Sequence, residues 1–183
     1  MPALHPPELT DGEIRLRALR ASDRDAMVAA AQDPEIPRWT RVPSPYTGTD
    51  FERWLAEAAR QQQAGEGLHL AVVAADDGRL LGTVGVQQLH TAVPDIGYWV
   101  AAGARRRGVA ARAVRLLRDW LARELGRRRI EILVHVDNTP SQRTALRAGF
   151  ARTGEYREDP RDLAGTYAVF AWPDDGGAGG GAG

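Results

Sequence analysis

Residues 95–125 read DIGYWVAAGARRRGVAARAVRLLRDWLAREL. The short apolar run at 96–100 has the length and composition of a buried strand. Small residues and three consecutive arginines, Arg105, Arg106 and Arg107, follow it, and then Gly108-Val109-Ala110. Beyond these, Ala113, Val114, Leu117, Trp120, Leu121 and Leu125 recur at three- and four-residue spacing, which predicts a long helix with one apolar face. The stretch is a strand, a glycine-bearing turn and a helix whose N-terminus carries cations. The first helical turn has unpaired N–H groups and the positive end of the peptide dipole. A glycine there lets an anion approach the backbone, and arginines add fixed charge. This chemistry suits a phosphate, although a plain glycine turn beside a solvated arginine run can look the same.

Working outward towards the N-terminus, Val93-Pro94 leads into that strand. Residues 68–74 and 80–89 read as two strands joined by the turn Asp76-Asp77-Gly78-Arg79. Thr49-x-x-Glu52 has the form of a capping box opening a helix to about residue 63, with Trp54, Leu55 and Ala58 inward. Residues 36–47, with Pro37, Pro43, Pro45, Trp39 and Tyr46, read as an aromatic-bearing loop. Ser22 is placed to cap a helix over 23–32 with Ala26, Met27, Ala30 and Ala31 on its apolar side, ended by Pro34 and Pro37. Residues 14–19 alternate like a half-buried strand, and residues 1–12 read as a loose Pro-rich segment.

Towards the C-terminus, Gly126 marks the end of the long helix, and Arg127, Arg128 and Arg129 read as a solvated loop. Residues 130–136 form a strand, 137–141 a turn and cap, and a short helix runs to Ala148. Residues 151–156 and 166–172 read as a closing hairpin, and residues 173–183 as a disordered Gly-rich tail. One domain over 13–172 accounts for the chain, without internal repeats.

At 183 residues the chain is long enough for a substantial core. Its formal net charge is zero, which argues against a broad nucleic-acid or membrane field. All 24 basic residues are Arg. The absence of Cys excludes disulfides, thiolate metal sites and a Cys nucleophile. The four histidines, His5, His69, His90 and His135, show no metal-ligand spacing, so no metal is expected. With no apolar leader and no membrane-length apolar run, a soluble cytoplasmic protein is expected.

Arg105-x-x-Gly108-x-Ala110 resembles the pyrophosphate-binding signature of the GNAT superfamily of N-acetyltransferases, Gln/Arg-x-x-Gly-x-Gly/Ala, which lies between that family's fourth strand and third helix. IGYWV (96–100), DNTPSQRTALRAGF (137–150) and LGTVGV (81–86) look like the fourth strand, the Asn-x-x-Ser motif ending in Gly-Phe, and the third strand of the ribosomal-protein N-terminal acetyltransferase branch, the RimJ/RimL-like one. The resemblance covers residues 14–172. The chain departs from the branch at Arg106, often Gly, and at Ala102, often Pro.

The resemblance implies an α/β fold: a mixed, mostly antiparallel sheet of about seven strands flanked by about four helices, with a cofactor cleft where the family's fourth and fifth strands splay. It implies transfer of acetyl from acetyl-CoA to a primary amine, on a protein N-terminus or a small molecule. In this reading Arg105, Arg106, Arg107, Gly108, Val109 and Ala110 grip the pyrophosphate. The backbone of Trp99, Val100 and Ala101 pairs with the pantetheine arm, and Val100 N–H faces the thioester carbonyl. Asn138 hydrogen-bonds pantetheine or the acceptor side, and Ser141 contacts the cofactor and protonates the thiolate, with Tyr156 as another acid. Asp95 takes the place of a carboxylate that, in relatives, deprotonates the amine.

Each role has a plainer counterpart: a strand-end carboxylate for Asp95, a turn residue for Asn138, a helix cap for Ser141, a half-buried strand residue for Tyr156 and a satisfied sheet histidine for His135. Trp39, Tyr46 and Trp54 are candidates to frame the acceptor, with Asp33, Glu35, Glu155 and Glu158 to attract a cation; core packing and solvation explain them equally. The alternative function is a catalytically silent CoA-binding sensor or assembly module. A third reading makes the two arginine runs an RNA surface. The branch also suggests a homodimer through the closing hairpin.

Overall fold

The computed structural model describes residues 7–158 and 165–173. Eight strands form one open sheet: β1 (Leu9–Thr10), β2 (Ile14–Ala18), β3 (Leu68–Ala74), β4 (Leu80–Gln87), β5 (Asp95–Val100), β6 (Ile130–His135), β7 (Ala151–Glu158) and β8 (Thr166–Trp172). Five helices accompany them: α1 (Arg24–Ala31), α2 (Glu35–Trp39), α3 (Gly48–Ala64), α4 (Val109–Glu124) and α5 (Thr139–Arg147). The strand order is β1-β2-β3-β4-β5-β6-β8-β7. Every neighbouring pair is antiparallel except β5 and β6, which run parallel and pair at a single position, Asp95 with Glu131. Beyond it the two strands diverge and leave a gap in the sheet.

The alternation along β3 shows how the core is divided. Leu68, Leu70 and Val72 face α4, where they join Ile14, Leu16, Val84, Val86 and Ile96 against Val114, Leu117 and Leu121. On α4 the buried positions Val109, Ala113, Val114, Leu117 and Leu121 keep the predicted helical spacing. Leu117 and Leu121 are fully buried, and removing either side chain to Ala would cost roughly 2–5 kcal/mol. A smaller core of Met27, Ala31, Tyr46 and Phe51 lies with α1 and α3 on the opposite face, with Trp54, Leu55 and Trp99 packed on it.

Several boundaries differ from the sequence reading. Leu9 and Thr10 pair with Leu16 and Arg15, so order begins inside the segment expected to be loose. Residues 1–6 and 174–183 lie outside the described residues. Ser22 is exposed and does not cap α1. A 3-10 turn at Ala21–Asp23 leads in, and buried Asp23 accepts from Arg20 N–H at 2.8 Å and pairs with Arg17 at 2.7 Å. Ala26 faces solvent. Pro37, expected to end a helix, sits inside α2, where the first-turn N–H groups are unpaired anyway and proline is tolerated. The capping box of α3 is Thr47 with Asp50, not Thr49 with Glu52. Phe51, absent from the predicted inward set, is the innermost residue of α3, while Trp54 and Leu55 are half-buried. Arg127 and Arg129 are not solvated: Arg127 donates to the carbonyls of Leu89 and Thr91, and Arg129 pairs with buried Glu131. Two of the six arginines of the proposed RNA surface are thus committed within the fold.

Candidate active site

The gap between β5 and β6 opens into a cleft of about 1700 Å³ that passes from the α1–α3 face of the sheet to the α4–α5 face. Single small-molecule sites fall at roughly 300–1,000 Å³, so this space suits two reactants meeting end to end.

Backbone polarity in the gap follows from register. Ala101 N–H donates to Leu81 O at 2.9 Å, and Val100 pairs with Gly82. Hydrogen-bonded and non-bonded pairs alternate in an antiparallel ladder. Trp99 and Ala101 therefore direct their backbone groups at β4, while Tyr98 and Val100 direct theirs at the diverging β6. Of the backbone groups expected to meet pantetheine, those of Ala101 and Trp99 are spent inside the sheet. Tyr98, which the sequence reading missed, has its groups on the open side with Val100.

The arginine turn divides its side chains. Gly108 has φ +78°, a left-handed conformation, and a Cβ there would meet nothing within 4 Å. Arg106 is also left-handed at φ +62°, which accounts for the branch's frequent Gly at this position. Arg106, Gly108, Val109 and Ala110 line the cleft. Arg107 does not: the reversal at Gly108 turns it into a separate small cavity with Glu13, Asp76 and Arg112. Arg105 lines the cleft, but its Nε donates to Val100 O at 3.1 Å and its Nη2 meets Asp33 Oδ2 at 2.7 Å. It ties the α1–α2 junction to the end of β5. Arg143 and Arg147, one helical turn apart on α5, also line the cleft. Among the described residues Arg41, Arg106, Arg143 and Arg147 are cleft cations without a hydrogen-bond or ion-pair partner. The i,i+4 arginines after Asn138 were the available signal for the α5 pair.

Asn138 is the N-cap of α5, its Oδ1 accepting from Ser141 N–H at 3.1 Å, so the capping role falls to Asn138 rather than Ser141. Ser141 Oγ lies 2.7 Å from Tyr98 Oη. Burial pushes the Tyr98 phenol above its ordinary 10, so it keeps its proton and can donate to Ser141. Tyr156 takes no part: it is 55% exposed on β7, beside Arg152.

Asp95 does not line the cleft. It is 6% exposed, at the one place where β5 still pairs with β6. Its neighbour Glu131 is 4% exposed and is held by Arg129 and Arg157. The closed end of the gap is thus an ion-paired cluster. The expected cation-attracting carboxylates are also committed: Asp33 to Arg105, Glu35 to Arg38 and Trp39 Nε1, and Glu155 to Arg157; Glu158 is exposed on β7.

On the α1–α3 face the walls are aromatic. Trp39 packs against His135 with ring centroids 5.4 Å apart, and His135 meets Tyr167 edge-on at 5.3 Å. Tyr46 and Trp54 also line this side, and burial pushes the Tyr46 phenol to about 12. His69 and Gln61, neither singled out by the sequence reading, line it as well.

A mixed sheet split at one parallel pair, with a glycine turn at the helix N-terminus beside the split, defines an acyl-CoA-dependent transferase class. The chain belongs to the acetyltransferase (GNAT) domain family, whose description it matches over residues 13–151. It is an N-acetyltransferase, and the family's reaction is acetyl transfer from acetyl-CoA. Over 161 residues it is 30% identical to the Probable N-acetyltransferase YjcK of Bacillus subtilis (strain 168), covering 85% of this chain and 83% of that protein. Mycobacterium smegmatis RimJ, solved in complex with CoA-disulfide, has a TM-score of 0.76 at 21% identity, covering 91% of this chain and 85% of that one. The microcin C7 self-immunity acetyltransferase MccE, solved with acetyl-CoA and AMP, has a TM-score of 0.74 at 20% identity, covering 90% and 97%. These likenesses show the fold, which resembles that of RimJ. Among the described residues there is no cluster of three metal-ligating side chains, and no helix is long and apolar enough to cross a membrane.

Proposed function

We propose that this chain transfers acetyl from acetyl-CoA to a primary amine, on a protein N-terminus or a small molecule, by direct attack of the amine on the thioester. The observation that carries the reading is the β5–β6 gap, held at Asp95–Glu131 and opening to both faces of the sheet. One face offers unpartnered cations and a helix N-terminus; the other offers aromatic walls. An anionic cosubstrate and an amine acceptor would enter from opposite sides and meet at β5.

In this reading the first N–H groups of α4 and the Arg106 guanidinium hold the pyrophosphate, with Arg143 and Arg147 for further phosphate charge. Val100 N–H, unpaired by β4, stabilises the oxyanion as the carbonyl becomes tetrahedral. The Asn138 amide nitrogen, left free by the cap, serves pantetheine. Ser141 protonates the departing thiolate and recovers its proton through Tyr98. Trp39 and Tyr46 frame the acceptor. Asp95 serves as a support of the closed end rather than as the base.

The test is thiol release from acetyl-CoA against N-terminal peptides and small amines, with a CoA titration alongside. Gly108→Trp fills the open space at the turn, so acetyl-CoA binding should be lost while the melting temperature falls only modestly. Unchanged affinity in that variant would overturn the assignment of the phosphate site.

A further inference from the structure

On the α1–α3 face of the sheet, one row across three strands is nearly bare. His69 on β3 pairs with Gly85 on β4, and Gly85 pairs with Gly97 on β5. A Cβ built on Gly85 would lie 2.6 Å from His69 Nδ1, and one built on Gly97 would meet nothing within 4 Å. The imidazole therefore leans over Gly85, and the floor from there to β5 is open. His69, Gly85 and Gly97 all line the cleft.

The groups behind the ring set its tautomer. Gln61 Nε2 donates to Glu57 Oε1 at 2.8 Å, and an ionised carboxylate can only accept, so the Gln61 amide orientation is determined. Gln61 Oε1 then faces His69 Nε2 at 2.9 Å, so Nε2 must carry the proton. Nδ1 keeps its lone pair, above Gly85, with no partner among the described residues. The charged groups here are Glu57 on α3, paired with Arg60, and Glu66, which pairs with the same Arg60; Trp54 meets the ring edge-on at 5.8 Å, and Gly85 lies opposite His69 on β4. Hydrogen bonds from Arg60 and Gln61 hold the Glu57 carboxyl down at about 2, and burial pushes His69 down to about 4. Near neutral pH the ring is uncharged.

We propose that His69 Nδ1 accepts the proton released by the amine during acetyl transfer; the inference rests on the transferase reading above. The neutral amine bonds to the thioester carbon, and the carbonyl π pair moves to oxygen. The nitrogen of this adduct is positively charged and attached to a carbon bearing oxygen and sulfur, so it is a far stronger acid than a free ammonium. A weak base that is uncharged near neutral pH can take its proton. Strands lie about 4.8 Å apart and Val100 is three residues, about 10 Å, along β5 from Gly97, so a short line of waters over the bare floor carries the proton from the amine to Nδ1. The C–S bond then breaks as the carbonyl re-forms, the thiolate takes the Ser141 proton, and the imidazolium returns its proton to solvent. Gln61 and Glu57 act as positioning residues through the tautomer.

Two measurements on the full chain test this. Nitrogen NMR of histidine-labelled protein needs no acceptor: His69 should show a protonated Nε2 and a bare Nδ1 near neutral pH, and Gln61→Leu should mix the tautomers while leaving CoA affinity unchanged. With the amine from the panel that gives the most turnover, His69→Gln should lower kcat about 100-fold and leave the KM for acetyl-CoA within about twofold. The loss should be the same factor across roughly pH 6 to 9, because the ring does not titrate there. A proton on Nδ1, or a His69→Gln enzyme with the parent kcat, overturns the proposal. Parent turnover and CoA binding keep the transferase reading standing in either event.

Discussion

Arg106→Gly separates two effects that meet in one residue of the cofactor turn. Arg106 is held at φ +62°, where a side chain crowds its own backbone at a cost of about 1–2 kcal/mol. Glycine adopts this conformation freely, but its greater freedom in the unfolded chain returns roughly 0.5–1 kcal/mol. The net is a stabilisation of about 0.5–1 kcal/mol, or roughly 1–4 °C in Tm for a domain of this size. The same substitution removes an exposed, unpartnered guanidinium from the cleft wall. A charged hydrogen bond to phosphate contributes roughly 1.5–3 kcal/mol, and solvent screening brings this nearer about 1.4, a tenfold rise in the Kd for acetyl-CoA. Stability and affinity should therefore move in opposite directions. Thermal melts and calorimetric titration of acetyl-CoA, at low and moderate salt, read both. Arg106→Ala is the control: it keeps the left-handed strain and loses the cation, so its Tm should stay near the parent value while its Kd rises equally. An unchanged Kd in both variants would refute the phosphate contact, and a Tm that falls in Arg106→Gly would refute the strain.

Tyr98→Phe removes the hydroxyl 2.7 Å from Ser141 Oγ; kcat should fall about tenfold with CoA affinity unchanged, and stability should drop by about 1 kcal/mol, as stopped-flow thiol release and urea melts would show. Asp23 lies in a buried pair with Arg17; burial alone would raise its carboxyl, but the Arg17 hydrogen bonds, the Arg20 N–H and nearby arginine charge outweigh it and leave the carboxyl below 3.8. A depressed carboxylate stabilises the fold above its unfolded pKa, and that contribution is lost as pH falls through the folded value. Asp23→Asn should cost about 3 kcal/mol near neutral pH and should lose less further stability than the parent between roughly pH 5 and 2; parallel losses in urea melts would refute this.

The long helix and its glycine turn were legible because their signals are short-range. Apolar spacing on α4 and the Arg105–Ala110 pattern both sit within a few residues. The cap of α3 was misread by two residues because Thr47 and Thr49 both precede an acid by three positions, and only the backbone at Thr47 is extended. β1 and α2 were missed for a different reason. Two residues carry no period, and prolines that forbid a helix interior are harmless in a first turn.

Of the candidate site, the sequence placed the glycine turn and most of its arginines on the cleft wall, and it left the opposite, aromatic side obscure. Asp95 was read from its place before a strand, and that place is the closed end of the gap, where a carboxylate is buried beside Glu131 instead of facing the acceptor. His69 carried no local signal, because its meaning depends on Gln61 behind it and Gly85 beside it.

The sequence by itself determined the order of elements apart from β1 and α2, the α4 apolar face, the glycine and arginines at its start, and through them the family. These rest on local periodicity and on contacts within a turn. The tertiary structure alone decided which groups share the cleft. Tyr98 meets Ser141 across 43 residues, Arg105 pairs with Asp33, Arg107 turns away, and His69 leans over Gly85 on the neighbouring strand. The reason is physical: a strand's side chains have a fixed alternation, but the partner and register that aim them are set only when distant strands pair.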